Sequence, residues 1–352
     1  MPTPSLTVSE DRVSEKTSIA LCNCIILMAA LAPVFCPGCT GPVSAFPEEA
    51  DTVQVATRVS LAAAGVVPSG IRCLDLFFFN DDQLQRLDAY QRIEGSALTA
   101  AVGASRSGKK ILAVLANSNA DRYRWADVNS LQGLAARTAR LQEEDPSHPL
   151  GHALLRIDAG RSVTVSLAPL SARIRLASIS CDFKDRPYAG AKLEDVRVYL
   201  THVNTSSPLL ADSVRVPTDF INAGRLKETD LEGFLYPGIV QARLPAPVGV
   251  GVQYPGIDLY CYPNAPDDRG PGTPSTRLVI EGTLLGTTCY YPLEIGLENG
   301  RAGVLGNRTY QYDITLTRRG ASDPDTPLQP GVMQTRLEVL PWKEPDPLVI
   351  PF

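Results

Sequence analysis

From residue 52 onward the chain alternates. In TVQVATRVSL, Val53, Val55, Thr57 and Val59 fall on one side of a period of two, the pattern of a strand with one apolar face. IRCLDLFFFNDDQLQRLDAY reads as a strand, an Asn-Asp-Asp turn and a second strand, a β-hairpin. KKILAVLANSN is an apolar run of strand length that ends in turn residues. In WADVNSLQGLAARTARLQEED the period changes. Trp125, Val128, Leu131, Ala135 and Leu141 recur at helical spacing and stop before Pro146, which predicts a helix. HALLRIDAGRSVTVSLAPLSARIRLASISCDF predicts three more strands, and LEDVRVYLTHV another. Past Pro208 the texture loosens through FINAGRLKETDLEGFLYPG. GIDLYCYPN, TRLVIEGTLL, TTCYYPLEI and NRTYQYDITLTRRG then read as strands with turn clusters between them, spaced as in a sandwich. The final MQTRLEVLPWKEPDPLVIPF reads strand, break, strand. No internal repeat interrupts this order. Two β-rich domains, residues 51–207 and 208–352, are the economical arrangement.

The opening of the chain has another character. Residues 19–35 are apolar apart from Asn23 and the thiols, with Lys16 before them. That run is just short of a comfortable membrane span and suits the apolar region of an export signal. Glu10, Asp11 and Glu15 make the segment before it unusually acidic. Cys36-Pro37-Gly38-Cys39 has the form of half a zinc site, but the remaining cysteines, Cys73, Cys181, Cys261 and Cys289, are scattered singly. Gly38-Cys39 instead satisfies the small-residue rule of a lipoprotein signal, whereas Phe35-Cys36 does not. The reading is a lipoprotein-type leader over 1–38, lipidation at Cys39, and a Pro-rich acidic tether over 39–50. Ordinary secretion and an uncleaved anchor are the alternatives.

Charge and composition then narrow the function. A net charge of −5 does not suggest a nucleic-acid partner. Three histidines and three methionines are thin stock for a hydrolase triad or a metal enzyme. GASRSGKK, residues 103–110, nearly spells a phosphate loop. Lys110 stands where Ser or Thr is needed, and a strand rather than a helix follows, so a basic hairpin turn is expected. His148 and His152 straddle Pro149 and His202 stands alone; all three read as solvated polar residues. Asp81-Asp82 and Asp267-Asp268 read as turns, not calcium sites. Trp125 and Trp342 read as core residues. Cys261 and Cys289 are either a disulfide or two buried thiols. No nucleophile, base and orienting group assemble, so neither catalysis, nor a metal, nor a cofactor is expected.

The ordered set TVQVATRVSL, CLDLFFFNDDQLQRLDAY, ILAVLANSN, VNSLQGL, VSLAPLSARIRLASI, VYLTHV, NRTYQYDITLTRRG and LEVLPWKEP, behind the lipoprotein leader, resembles the fimbrillins. These are pilin subunits of type V fimbriae of Gram-negative anaerobes, and the resemblance covers roughly residues 50 to 352. It implies a mainly β fold of two transthyretin-like β-sandwich domains, here with a short helix in the first. It also implies no catalysis, a lipid anchor in the outer membrane, and other fimbrial subunits as partners. Such subunits lose their first strand to a protease that cuts after an arginine, and the vacated groove takes a C-terminal strand from a neighbour. On this pattern residues 333–352 are the donor, with Leu337, Val339, Leu348 and Ile350 alternating and Trp342 plugging the groove. The candidate cleavage residues are Arg72 and Arg58. This chain departs from the pattern there, because AAAGVVPSG contains no arginine, Arg58 lies inside the first strand and Arg72 opens the next. The implied role is a stalk or accessory tip subunit in adhesion. A fimbrial anchor subunit, or a surface lipoprotein that binds glycans, is the alternative.

Overall fold

The computed structural model describes residues 53–62, 70–96, 98–210, 217–265, 273–296 and 303–342. The leader, Cys39, the tether, Asp267-Asp268, Leu348 and Ile350 lie outside the described residues.

The expected period-two runs are strands. The first sandwich opens with β1 (Gln54–Leu61), β2 (Cys73–Asn80), β3 (Leu87–Glu94), β4 (Ala100–Arg106) and β5 (Lys109–Ala116). It continues with α1 (Leu131–Ala135), β6 (Thr138–Arg140), β7 (Gly151–Asp158), β8 (Val163–Val165) and β9 (Ala168–Pro169). One layer has the strand order β4-β1-β8 and the other β3-β2-β5-β7-β9. β2 and β5 lie inside the larger layer and are buried almost throughout, which explains their unbroken apolar runs LDLFFF and KILAVLA. The hairpin of β2 and β3 forms as expected, and Asp82 Oδ1 accepts the Leu84 and Gln85 N–H groups in its turn. GASRSGKK is the tight connection from β4 to β5, with Gly108 at φ +110°.

The second sandwich begins with β10 (Ala172–Cys181) and β11 (Leu193–Thr201). Short pieces follow: β12 (Val203–Asn204), β13 (Ser206–Pro208), β14 (Phe220–Ile221) and β15 (Gln241–Arg243). The remaining strands are β16 (Ile257–Cys261), β17 (Arg277–Leu284), β18 (Thr287–Glu294), β19 (Arg308–Leu316) and β20 (Met333–Pro341). Its layers have the orders β16-β10-β19-β20 and β15-β11-β17-β18. Cys261 and Cys289 lie in different layers as buried free thiols. Burial pushes the Cys261 thiol up to about 12.

Three expectations change. The boundary at residue 207 does not separate the sheets, because β10 and β11 pair only with strands that follow it. The sheets change partners at Ala172 instead. The loose stretch after Pro208 is a connection within the second sandwich, and β13 reaches back to pair with β6. The helix expected before Pro146 is five residues long. Ser130 caps it by accepting the Gly133 N–H at 3.2 Å, and the chain then turns extended so that Ala139 enters the core on β6. The histidines are not solvated. His202 is 9% exposed at φ +51°, where its Nε2 accepts the Gly224 N–H. His148 Nδ1 is paired with Asp145 at 3.2 Å, and His152 Nδ1 lies 3.0 Å from the Ala168 carbonyl.

The core runs on between the sandwiches. Phe77 and Phe79 on β2 belong to the same buried cluster as Ile174, Leu200, Tyr262 and Tyr312. Trp125 packs edge-on to Phe77 at 5.4 Å and joins that cluster from its margin.

Candidate functional site

The first strand occupies a slot. β1 runs antiparallel to β4, from Gln54 opposite Arg106 to Ser60 opposite Ala100, and parallel to β8, from Val59 opposite Val163 to Leu61 opposite Val165. It is therefore the middle strand of its layer. Its alternation is the one read in the sequence: Thr57 and Val59 are fully buried, while Gln54, Ala56 and Arg58 face solvent. Val59 packs into a cluster with Leu74, Leu76, Phe78, Leu112, Val114 and Val165. Burying a valine side chain contributes roughly 1.5–3 kcal/mol. The polar inward group is satisfied, since Gly160 N–H donates to Thr57 Oγ1 at 2.9 Å. Opposite Thr57 stands Gly103 on β4. A Cβ there would lie 2.6 Å from the Phe78 ring, so the slot wall rests directly on the core and only glycine fits. Taking β1 away would open two facing strand edges and an apolar floor at once.

The two candidate arginines sit differently. Arg58 is in mid-strand, opposite Val102 of β4. Arg72 stands at the entry to β2 with its side chain 65% exposed and its guanidinium 3.9 Å from Asp145. Its backbone is held on both sides. Its N–H donates to Asn117 Oδ1 at 2.9 Å, and its carbonyl accepts the Gly95 N–H at 2.9 Å.

Beside Arg72 opens a polar cavity of about 380 Å³, lined among others by Arg92, Glu94, Asn117, Asp145 and His148. Its wall is a closed network on β2 and β3. Asp75 is fully buried and accepts from Tyr90 Oη at 2.8 Å, from Arg92 Nη1 at 3.1 Å and from Ser118 Oγ. Such a carboxylate is stable in the interior only because every lone pair is used. Burial pushes the neighbouring Cys73 thiol above its usual range, which makes it inert. Beneath lies Glu144, which burial raises to about 7. It accepts Tyr262 O–H at 2.6 Å and Leu150 N–H at 2.9 Å, opposing that rise, and so ties the first sandwich to the second. The chemistry here is structural: charges are paired, and the thiol and carboxyl are biased toward their neutral forms.

The tail lies on its own chain. β20 is the edge strand of its layer, antiparallel to β19, with Leu337 opposite Tyr312 and Val339 opposite Tyr310. It is thinly packed: Met333 and Leu337 are half-buried, and Val339 and Leu340 are exposed. Trp342 is 4% exposed, with its ring 5.6 Å from that of Tyr260 and the Arg173 guanidinium 5.3 Å above it. Sequence reasoning placed these residues in a strand, but it missed Gly103 and the Asp75 network. Both depend on which strands become neighbours, and no local period carries that.

No family model and no curated protein matches the chain. Solved structures do match. A candidate cell adhesion protein from Bacteroides eggerthii matches at TM-score 0.61 and 18% identity, covering 82% of this chain and 96% of its own. A fimbrilin, FimA, from Porphyromonas gingivalis matches at TM-score 0.61 and 15% identity, covering 82% and 98%. The tip fimbrial protein Mfa3 of the same organism, with a C-terminal truncation, matches at TM-score 0.51 and 13% identity, covering 82% and 100%. The described chain, from the slot of β1 to the tail, thus has the fold of solved fimbrial and adhesion proteins.

Proposed function

We propose that this chain is a fimbrillin: a structural, non-catalytic subunit of a surface fimbria that joins its neighbours by strand replacement and supports adhesion. The observation that carries the reading is the slot. β1 is a middle strand held by two backbone ladders and a single row of inward side chains, Val55, Thr57, Val59 and Leu61, so another alternating strand is able to replace it. Residues 333–341 have that alternation, and leaving the edge of β19 uncovers little more than half-buried Met333 and Leu337. In this scheme Cys39 is acylated, the chain reaches the outer membrane as a lipoprotein, and it serves as a stalk or accessory tip subunit.

Cleavage after Arg72 would release the whole of β1, whereas cleavage after Arg58 would leave Val59 and Leu61 in place. One observation favours an anchor instead. The backbone on either side of Arg72 is hydrogen-bonded, which shields it from a protease. Digestion of the purified precursor with an arginine-specific protease, followed by N-terminal sequencing, separates the two. A new terminus at Cys73, with SDS-resistant ladders on incubation, supports a polymerising subunit. An uncut chain that still begins at acylated Cys39 in isolated fimbriae supports the anchor. Fatty-acid labelling that persists in Cys39→Ala removes the lipidation site from the scheme.

A further inference from the structure

An uncovered apolar ridge runs along the outer margin of the second sandwich. The chain from Gly249 to Cys261 follows β10. Cys181 N–H donates to the Gly249 carbonyl at 2.7 Å, and Ile179 and Gln253 exchange both backbone bonds at 2.9 Å before β16 begins. Gln253 stands opposite Ile179, whose side chain is in the core, so Val252 and Tyr254 point to the outer face. Val250 falls on the same side, two residues earlier. These three side chains are 69%, 53% and 80% exposed, in the order Val250, Val252, Tyr254. A row of large apolar groups on a sheet margin is a surface that another segment covers.

We infer that the occupant is residues 343–352 of the same chain, laid along the margin with Leu348, Ile350 and Phe352 over Tyr254, Val252 and Val250. Trp342 already delivers the tail to that face, because its ring packs on Tyr260 of β16, the strand that continues the ridge. The Trp342 indole N–H is buried without an acceptor among the described residues, and a carbonyl of the residues after it is the nearest partner in the chain. The spacing agrees. Tyr254 lies six positions before Tyr260, and Leu348 six positions after Trp342. An antiparallel run from the Trp342–Tyr260 contact therefore sets the two alternating triads against each other. The reach suffices: ten extended residues span about 33 Å. Six strand positions take about 20 Å, and crossing up to three strand spacings about 14 Å, a diagonal of about 24 Å. Pro345, Pro347 and Pro351 fix φ and remove N–H donors, which suits a segment that packs by its side chains rather than by extending the ladder. The docking stands apart from strand donation. It gives Leu348 and Ile350 a place to rest on their own subunit.

The test is photocrosslinking in the full chain. Tyr254 is replaced by p-benzoylphenylalanine in one protein, and Val102, exposed on β4 of the first sandwich, in a control. The monomer is isolated by size exclusion, irradiated, digested and mapped by mass spectrometry. The expected product from position 254 runs at monomer mass and joins the peptide containing 344–352, and the control does not form it. Leu348→Asp with Ile350→Asp abolishes it. A product at dimer mass assigns the ridge to a second copy and overturns the inference. So does the absence of any tail adduct in a protein whose circular dichroism and unfolding match the parent.

Discussion

Glu144 makes the junction between the sandwiches sensitive to pH, and the sign follows from its position. Its carboxyl is buried and titrates at about 7 in the folded chain, against 4.5 when solvated. Below the lower value both states hold the proton, and the group has no effect. Between the two values the unfolded chain has released the proton while the folded chain retains it, so stability falls as pH rises. Above about 7 the loss is complete. A gap from 4.5 to about 7, at about 1.4 kcal/mol per pH unit, corresponds to about 3 kcal/mol. Glu144→Gln keeps the volume and the acceptor for Leu150 N–H but cannot ionise, so it removes this dependence. The assay is urea unfolding of parent and variant at pH 5, 6, 7 and 8, read as the difference between them so that other titrating groups cancel. The variant should gain on the parent by most of that amount between pH 5 and pH 8. Parallel profiles would show that Glu144 does not ionise across this range and would refute the argument.

Other substitutions probe the slot and the tail. Val59→Ala should cost about 2 kcal/mol in urea unfolding, because two methyl groups leave a filled core, while Arg58→Ala one position away should stay within about 0.5 kcal/mol. Gly103→Val drives a side chain into the Phe78 ring and should lower thermal stability by about 1–3 kcal/mol, or displace β1 so that protease reaches Arg58. Trp342→Ala removes the cover from Tyr260 and Arg173. It should cost about 3 kcal/mol and speed amide exchange in β20 ahead of the rest of its sheet.

Much of the strand content was legible because each sheet faces a core on one side. The alternation in QVATRVSL and the solid run LFFF come from that single cause. The helix was over-read because Val128, Ala139 and Leu141 are buried for different reasons. Val128 sits in a turn and Ala139 in a strand whose partner is Ser207, far along the chain. The division at 207 failed for a related reason. A loose, polar connection looks the same whether it leaves a domain or bridges two strands within one, and only the pairing of β10 with β19 distinguishes them. Of the site, the inward row of β1 was readable and its central place was not. The ridge at Val250, Val252 and Tyr254 lies in a stretch rich in glycine, where small residues mask the period.

The two neighbours of β1 run in opposite directions, since β4 is antiparallel to it and β8 parallel. Evenly slanted and paired perpendicular hydrogen bonds are not interchangeable, so a strand inserted backwards would mismatch both ladders at once. Any strand that takes this place enters with one heading only. A filament made of such joints is a vector: every subunit points the same way, its two ends are chemically unlike, and it lengthens from one of them.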